Sequence, residues 1–197
     1  MDRRNFSGGW SGRTGQCVGV ALKLAPLVIA AFFVVAAQAH QTTSHRPDVR
    51  FLPTPDNVVD AMLELAHVTA ADVVFDLGSG DGRIPIAAAK KYGARGVGIE
   101  IDEQLVRVSQ ENAMKAGVAD RVTFIRGDLF QADISHASVV TLFLLPSMNL
   151  QLIPKFKQQL RPGARIVSHH FAMGDVWLPD VEQDVSGLMI YLWKVRP

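Results

Sequence analysis

Three glycines and two carboxylates lie together directly after an apolar run. Gly78, Gly80 and Gly82 alternate with other residues. Asp76 lies two positions before the first of them, and Asp81 lies inside the loop. Glycine permits positive φ and lets a backbone approach its ligand closely. The spacing differs from the G-x-G-x-x-G favoured by dinucleotide sites, and carboxylates would repel a pyrophosphate. The loop therefore favours a ligand with an amino-acid group and a cationic centre, such as the sulfonium of S-adenosylmethionine.

Two further carboxylates stand where the next two apolar runs end. Glu100 is placed to accept hydrogen bonds from both ribose hydroxyls, as in the analogous dinucleotide site. Asp128 is placed to accept from the adenine amino group, with Ile101 and Leu129 on either side of the ring. Each carboxylate alone is equally consistent with an exposed loop charge or a helix cap, but three at successive run ends favour a common ligand. The predicted S-adenosylmethionine-binding residues are Asp76, Gly78, Ser79, Gly80, Asp81, Gly82, Glu100, Ile101, Asp128 and Leu129.

The methyl acceptor of such a cofactor is expected beside the fourth apolar run, which ends at Leu144-Leu145-Pro146. An Asn-Pro-Pro-Tyr segment there would indicate amide or base methylation, and its absence disfavours those substrates. An apolar channel suits the methylene stem of lysine and helps its amine to become neutral by desolvation. Methyl transfer is an in-line displacement that needs alignment and a deprotonated acceptor, so a dedicated general base is not required.

Two polar residues near the same edge are candidates for contact with the acceptor. No catalytic residue is assigned, and the candidates are Asn149 and His169. Asn149 is at least as well explained as the cap of the following helix. His169 forms a strand-end pair with His170, which is compatible with a purely structural role. No metal site is predicted, because Asp175 is the sole carboxylate near the two histidines in the sequence.

Charge and cysteine content exclude other chemistry. The 197 residues carry a formal net charge of +1, of which the first 39 carry +3 and the remainder −2. A nucleic-acid partner is not predicted, because it calls for a clustered basic patch. Cys17 is the single cysteine, so the chain predicts neither an internal disulfide nor a thiol nucleophile in the folded domain.

Strand-like and helix-like segments alternate from Thr54 onward, which predicts a parallel sheet covered on both faces. Two strand-like segments around Ser186-Gly187 indicate a closing antiparallel hairpin. The predicted helices are 57–66, with Thr54 as N-cap and Pro55 in the first turn, 84–92, 103–116 and 150–160. The predicted strands are 73–77, 96–100, 121–126, 138–145, 164–169, 181–185 and 188–195.

These motifs resemble those of class I S-adenosylmethionine-dependent methyltransferases over essentially all of Thr54–Val195. Pro53-Thr54-Pro55, Asp76–Arg83 and Leu144–Pro146 are similar to segments of small protein-lysine methyltransferases. That branch includes the enzymes that act on the c subunit of ATP synthase and on the adenine nucleotide translocase, and archaeal relatives. The resemblance implies a Rossmann-like α/β fold, a mainly parallel seven-stranded sheet with a C-terminal antiparallel hairpin. It also implies a protein lysine as acceptor, in a partner that can be membrane-associated.

The first 39 residues form a separate segment. A basic head precedes the uncharged apolar run Leu24–Ala37, and Ala37-Gln38-Ala39 resembles a signal-cleavage site. The pattern predicts a signal peptide or an uncleaved membrane anchor over 1–39, a linker over 40–52 and the methyltransferase domain over 53–197. Four basic residues before the run favour export of the domain. Because the cofactor is made in the cytoplasm, the sequence leaves the localisation open.

Three other functions are compatible with the loop. A small-molecule methyltransferase is disfavoured because the chain lacks a long insert to cover a small substrate. A non-catalytic nucleoside-binding module is disfavoured by the intact Asp76, Glu100 and Asp128. A nicotinamide-dependent oxidoreductase is disfavoured by the glycine spacing. Transfer of a methyl group from S-adenosylmethionine, with a protein lysine as the preferred acceptor, is the leading prediction.

Overall fold

The structure of the protein is a computed structural model that describes residues 52–197. The predicted signal or anchor segment 1–39, the linker up to residue 51 and Cys17 lie outside the described residues. Within 52–197, no helix combines the length and the apolar character needed to cross a membrane.

Seven strands form one sheet in the order β3-β2-β1-β4-β5-β7-β6. The first five strands run parallel, and β7 pairs antiparallel with both β5 and β6. The predicted mainly parallel sheet with a C-terminal hairpin is confirmed. The strands are β1 Val73–Leu77, β2 Arg95–Glu100, β3 Val122–Arg126, β4 Val139–Leu142, β5 Arg165–His169, β6 Val181–Val185 and β7 Leu188–Lys194.

Four helices cover the two faces of this sheet, and the alternation of strand side chains shows which face each one covers. Val58 of α1 and Ile84 of α2 share a core with Val74, whereas Phe156 of α4 shares another core with Phe75. Because successive strand residues point to opposite faces, these two cores lie on opposite sides of β1. The helices are α1 Asp56–Leu65, α2 Arg83–Tyr92, α3 Glu103–Ala116 and α4 Pro146–Gln159, and Gly174–Val176 forms a short 3-10 helix.

The region where β4 ends differs from the prediction. The predicted strand 138–145 is paired only over Val139–Leu142, and α4 begins at Pro146 instead of at residue 150. The neighbouring strand β1 pairs with β4 up to Leu77 and then turns into the glycine loop, so later residues of β4 have no partner there. Proline suits the first turn of a helix because its φ is already helical and its missing N–H is not needed.

The start of α1 also differs from the prediction. Pro55 occupies the N-cap position, and no side chain caps the helix. Thr54 is buried, and its hydroxyl contacts His169 instead of the first turn of α1. The predicted capping role of Thr54 is therefore wrong, since a long-range partner competes for the hydroxyl.

A polar cluster ties the amino ends of three parallel strands together. Asp72, just before β1, accepts hydrogen bonds from Thr69 and Ser138 and forms an ion pair with Arg165. Arg165 also donates to the carbonyl oxygen of Ala66 at the end of α1, at 2.8 Å. Burial raises the pKa of Asp72, but hydrogen bonds from Ser138, Thr69 and Arg165 outweigh it and leave that pKa lowered. The predicted site residues lie at the other end of these strands, the carboxyl end.

Candidate cofactor and acceptor site

The glycine loop is held against the end of β2. The backbone N–H groups of Gly78 and Ser79 both donate to the carbonyl oxygen of Ile99, at 2.9 and 3.0 Å. Gly78, Gly80 and Gly82 all adopt positive φ, which side-chain-bearing residues rarely do. Ser79 is buried, and a Cβ on Gly98 would lie 2.5 Å from its hydroxyl oxygen, so this side chain packs onto β2.

Glu100 shapes the loop from the end of β2. It is buried, its Oε2 accepts from the N–H of Gly80 at 2.9 Å, and its Oε1 accepts from the N–H of Asp102 at 2.9 Å. A carboxylate oxygen has two acceptor sites, so each oxygen keeps one for a ligand hydroxyl. Glu100 thus fits the predicted ribose contact while also fixing the loop.

Asp76 is buried at the end of β1 beside this loop. The hydroxyl of Thr141 donates to its Oδ1 at 2.7 Å. The pKa of Asp76 is raised to about 7, mainly by burial and in smaller part by the negative charges of Glu100 and Asp81, while the Thr141 hydrogen bond opposes the shift. A carboxyl group in this position gains from a positively charged ligand, which relieves both the burial penalty and the repulsion.

Asp81 is engaged within the protein. Nη2 of Arg83 lies 2.6 Å from one of its oxygens, and Nε of Arg83 donates to the other at 3.0 Å. The ion pair raises the pKa of the Arg83 guanidinium. Asp81 and Arg83 therefore form an ion pair within the loop and the first turn of α2. Contact of Asp81 with the cofactor stays a prediction, and its side chain lies at the rim of the loop, bound to Arg83.

The end of β3 brings the predicted adenine contacts to the same edge. The N–H of Gly127 donates to the carbonyl oxygen of Glu100 at 2.9 Å, so Asp128 follows directly beside β2. Oδ1 of Asp128 accepts from the N–H of Phe130 at 2.8 Å, which fixes the turn. Ile101 and Leu129 are both partly exposed there. The three predicted carboxylates therefore stand at successive strand ends, as the sequence indicates.

This arrangement fits S-adenosylmethionine. Among the described residues, Asp81 has an ion pair with Arg83, whereas no ion pair involves Asp76 or Glu100. An acidic edge of this kind suits the ammonium and sulfonium groups, and the remaining acceptor sites of Glu100 suit two hydroxyls. When bound, the cofactor supplies an electrophilic methyl group. The chain supplies the binding and the alignment.

Asn149 lies in the first turn of α4 and is fully buried. Its Nδ2 donates to Oγ of Ser168 at 3.3 Å and to the carbonyl oxygen of Phe171 at 3.0 Å. Helix capping by Asn149 is therefore wrong, because α4 starts three residues earlier and draws the side chain inward. Its Oδ1 is buried without a hydrogen-bond partner among the described residues, so acceptor contact stays a prediction.

His169 ends β5 and is also buried, whereas its neighbour His170 is exposed. Its Nδ1 lies 3.2 Å from Oγ1 of Thr54, and its ring packs against Phe143 with centroids 4.1 Å apart. Burial, together with the neighbouring His170, lowers the pKa of His169 to about 4, so the imidazole is neutral at physiological pH. Its Nε2 is buried with no hydrogen-bond partner in the described part of the chain.

Sequence reasoning missed three residues that build this site. Thr141 supports Asp76, Phe143 covers His169, and Thr54 binds it. Thr54 stands in the Pro53-Thr54-Pro55 segment that carried part of the family resemblance, which was the available signal. The contacts themselves span 65 and 115 positions of the chain, so local patterns do not reveal them.

The sheet order and the acidic glycine loop define a class I S-adenosylmethionine-dependent methyltransferase. A family model described as the ANTKMT methyltransferase domain matches residues 76–180. The chain belongs to this family of methyltransferases.

Relatives and a solved structure support the assignment. The protein-lysine N-methyltransferase of Saccharolobus islandicus is 43% identical over 157 residues, covering 77% of this chain and 97% of that protein. The human lysine N-methyltransferase of the ATP synthase c subunit is 35% identical over 152 residues, and the match spans 64% of its length, just under two thirds. An RNA methyltransferase from Salinibacter ruber, crystallised with S-adenosyl-L-homocysteine, is 58% identical with a TM-score of 0.72, over 74% of this chain and 94% of that one.

Proposed function

We propose that this enzyme transfers methyl groups to lysine side chains of a protein. The observation that carries the proposal is the 43% identity that extends over 97% of the protein-lysine N-methyltransferase from Saccharolobus islandicus. The human relative acts on a lysine of the ATP synthase c subunit, and a mouse relative with 38% identity acts on the adenine nucleotide translocase. Different protein targets in one family favour a site built for the lysine side chain itself.

The acceptor edge has the chemistry that a lysine needs. Phe143, Leu144 and Leu145 follow β4 beside the glycine loop, and a Cβ on Gly78 would lie 3.0 Å from Cδ2 of Leu144. Apolar side chains at this place accommodate the methylene stem and disfavour the charged ammonium, so the amine loses its proton more readily. Nε2 of His169 and Oδ1 of Asn149 are buried without a hydrogen-bond partner among the described residues, and we propose that they accept from the amine N–H groups.

We propose further that the target lies at a membrane and that residues 1–39 bring the enzyme there, uncleaved, on the side where S-adenosylmethionine is made. The support is the apolar run Leu24–Ala37 with its basic head. The requirement for the cofactor opposes export of the domain, although the positive charges favour it.

RNA is the second candidate acceptor, because the Salinibacter ruber protein of 58% identity is an RNA methyltransferase. The charge balance of this chain favours a protein lysine over RNA as the methyl acceptor. Residues 52–197 carry 14 basic against 17 acidic side chains, a net charge of −3. A polyanion calls for basic contacts along its backbone, and this balance does not supply a surplus of them.

The acceptor can be identified by labelling. The full chain is incubated with methyl-labelled S-adenosylmethionine and a cell extract that contains membranes, and the label is measured separately in protein, RNA and small molecules. We expect label in protein that is recovered as N-methyl-lysine after hydrolysis. Glu100→Ala, which removes the predicted ribose acceptor, is the control that should abolish it. Label confined to RNA or to small molecules would overturn the proposal.

A further inference from the structure

Two buried hydrogen-bonding atoms near the acceptor edge have no partner among the described residues. They are Oδ1 of Asn149 and Nε2 of His169. An unpartnered buried polar atom destabilises the folded protein, so its presence calls for a ligand, a water or a function. The hydroxyl of Ser79 is a weaker case, because it packs onto β2, and Nε of Arg165 belongs to the cluster at the opposite edge. His169 carries the inference furthest.

The strand register places His169 across the acceptor position from the glycine loop. Leu77 of β1 pairs with Leu142 of β4, which pairs with Ser168 of β5. Gly78 directly follows the end of β1, His169 is the last residue of β5, and only β4 lies between these two strands. Two strand spacings amount to about 10 Å. The acceptor position predicted at the end of β4 therefore lies between the glycine loop and His169.

A continuous chain of contacts connects His169 to the cofactor loop. Asp81 of the loop binds Arg83, and Nη1 of Arg83 donates to the carbonyl oxygen of Thr54 at 2.9 Å. The hydroxyl of Thr54 then meets Nδ1 of His169 at 3.2 Å. The ring is also covered by Phe143 on the β4 side. Thr54 and Phe143 thus contact the imidazole directly, and Arg83 connects Thr54 to the loop that is predicted to bind the cofactor.

We infer that Nε2 of His169 accepts a hydrogen bond from the methyl-accepting nitrogen, and that Thr54 is the positioning residue that orients the ring for it. The inference rests on the proposed function, because it deepens the description of the same acceptor site. With Nδ1 donating its proton to Thr54, Nε2 carries a free lone pair. A lysine amine attacks with its own lone pair, so its N–H groups need acceptors that keep this lone pair directed at the methyl group.

The neutral state of the ring agrees with this role. A protonated imidazole would repel the ammonium form of lysine and would offer Nε2 only as a donor. The lowered pKa of His169 keeps the ring neutral at physiological pH. The histidine therefore holds the accepting nitrogen without taking a proton, and the proton lost by lysine goes to solvent.

Five variants of the full chain test this inference in the labelling assay. The membrane-protein fraction serves as the acceptor, and its concentration is varied to obtain kcat/KM. His169→Phe keeps a packed ring without Nε2, and we expect a fall of about 10- to 100-fold in kcat/KM for the protein acceptor. His169→Gln places an amide oxygen near the position of Nε2 and should stay within about fivefold of the wild type. Thr54→Val should lose about three- to tenfold, and Thr54→Ser should restore the rate. His170→Asn is the matched control on the exposed neighbour, where asparagine tolerates the observed φ of +70°.

The affinity for S-adenosyl-L-homocysteine, measured by calorimetry, separates this role from a structural one. We expect the affinity to be unchanged in all five variants. Wild-type rates in His169→Phe would overturn the inference, and so would equal losses of rate and cofactor affinity in His169→Phe and His169→Gln. If the wild-type enzyme transfers the label to RNA and not to lysine, the proposed function is wrong instead. Equal labelling of RNA by wild type and His169→Phe would then overturn the inference as well.

Discussion

At the scale of single residues, the site contains buried carboxyl groups whose ionisation destabilises the folded protein. Asp76 is enclosed between Thr141 and the glycine loop, with Glu100 and Asp81 adding negative charge nearby. Its pKa of about 7 means that Asp76 keeps its proton in the folded protein up to about neutral pH, whereas an unfolded chain loses that proton at a pKa near 3.8. A cationic ligand favours the ionised form. Binding and folding therefore make opposite demands on this side chain.

We expect Asp76→Asn to stabilise the ligand-free protein at pH 8 and to weaken its affinity for S-adenosyl-L-homocysteine. Because the folded-state pKa is raised, the proton on Asp76 stabilises the wild type at low pH, and this contribution is lost as the pH rises from about 4 to 7. The variant should thus gain roughly 4 kcal/mol in the free energy of unfolding at pH 8 and almost nothing at pH 4. Its affinity for the ligand should fall about tenfold at pH 8.

Denaturant unfolding at both pH values, with calorimetric titration, measures these effects. Asp128→Asn is the control, because this carboxylate is half-buried at the same edge, and its unfolding free energy should change little. A variant Asp76→Asn that is less stable than the wild type at pH 8 would show that the ionised carboxylate holds the fold together. Such a result would contradict the expectation.

At the scale of elements, the glycine loop is constrained as much by packing as by its ligand. A Cβ on Gly82 would lie 2.6 Å from Phe124 of β3 and 2.7 Å from Ser109 of α3. Its φ of +79° is also left-handed. The glycine thus permits α2 to start where β3 and α3 meet. Close packing between elements is a reason for this glycine that the motif alone does not reveal.

Gly82→Ala and Gly117→Ala form a matched pair, because the two residues have similar φ values of +79° and +73° but different surroundings. Nothing lies within 4 Å of a Cβ added to Gly117. We expect Gly117→Ala to cost about 1 kcal/mol for the backbone conformation alone. Gly82→Ala should cost roughly 3 kcal/mol or more, because steric overlap is added. Melting temperatures and denaturant midpoints report the difference, and equal losses would show that the loop moves to admit the side chain.

At the scale of the whole molecule, the described domain and the first 39 residues predict different cellular locations. The domain is an S-adenosylmethionine-dependent methyltransferase and needs its cofactor. The apolar run Leu24–Ala37 predicts insertion or export. The proposal of an uncleaved segment at a membrane reconciles the two, and it depends on which side of the membrane the domain occupies.

Cell fractionation followed by N-terminal sequencing of the native protein tests this proposal. We expect the protein in the membrane fraction with Met1–Ala39 retained, and we expect the domain to be protected from protease added outside intact cells. A cleaved protein recovered outside the cytoplasm would contradict the proposal, since the domain would then lack its cofactor. A variant that lacks residues 1–39 should move to the soluble fraction, where its activity on extracted protein provides the control.

The sequence by itself determined the parts of this protein that are encoded locally. Short apolar runs, glycine positions and strand-end carboxylates predicted the sheet, its closing hairpin, the cofactor and the edge at which Asp76, Glu100 and Asp128 meet. These features follow from periodicity and from parallel strands ending at one edge, so they need no knowledge of distant contacts. The family resemblance added the preferred acceptor.

Only the tertiary structure decided which polar groups meet. The predicted cap Thr54 instead binds His169, and Asn149 turns inward at the start of α4 because β4 loses its partner after Leu142. Each of these outcomes is a competition between a local partner and one far away in the chain. Which partner forms the hydrogen bond depends on burial and on distance in the folded protein, and local sequence patterns do not specify either of them.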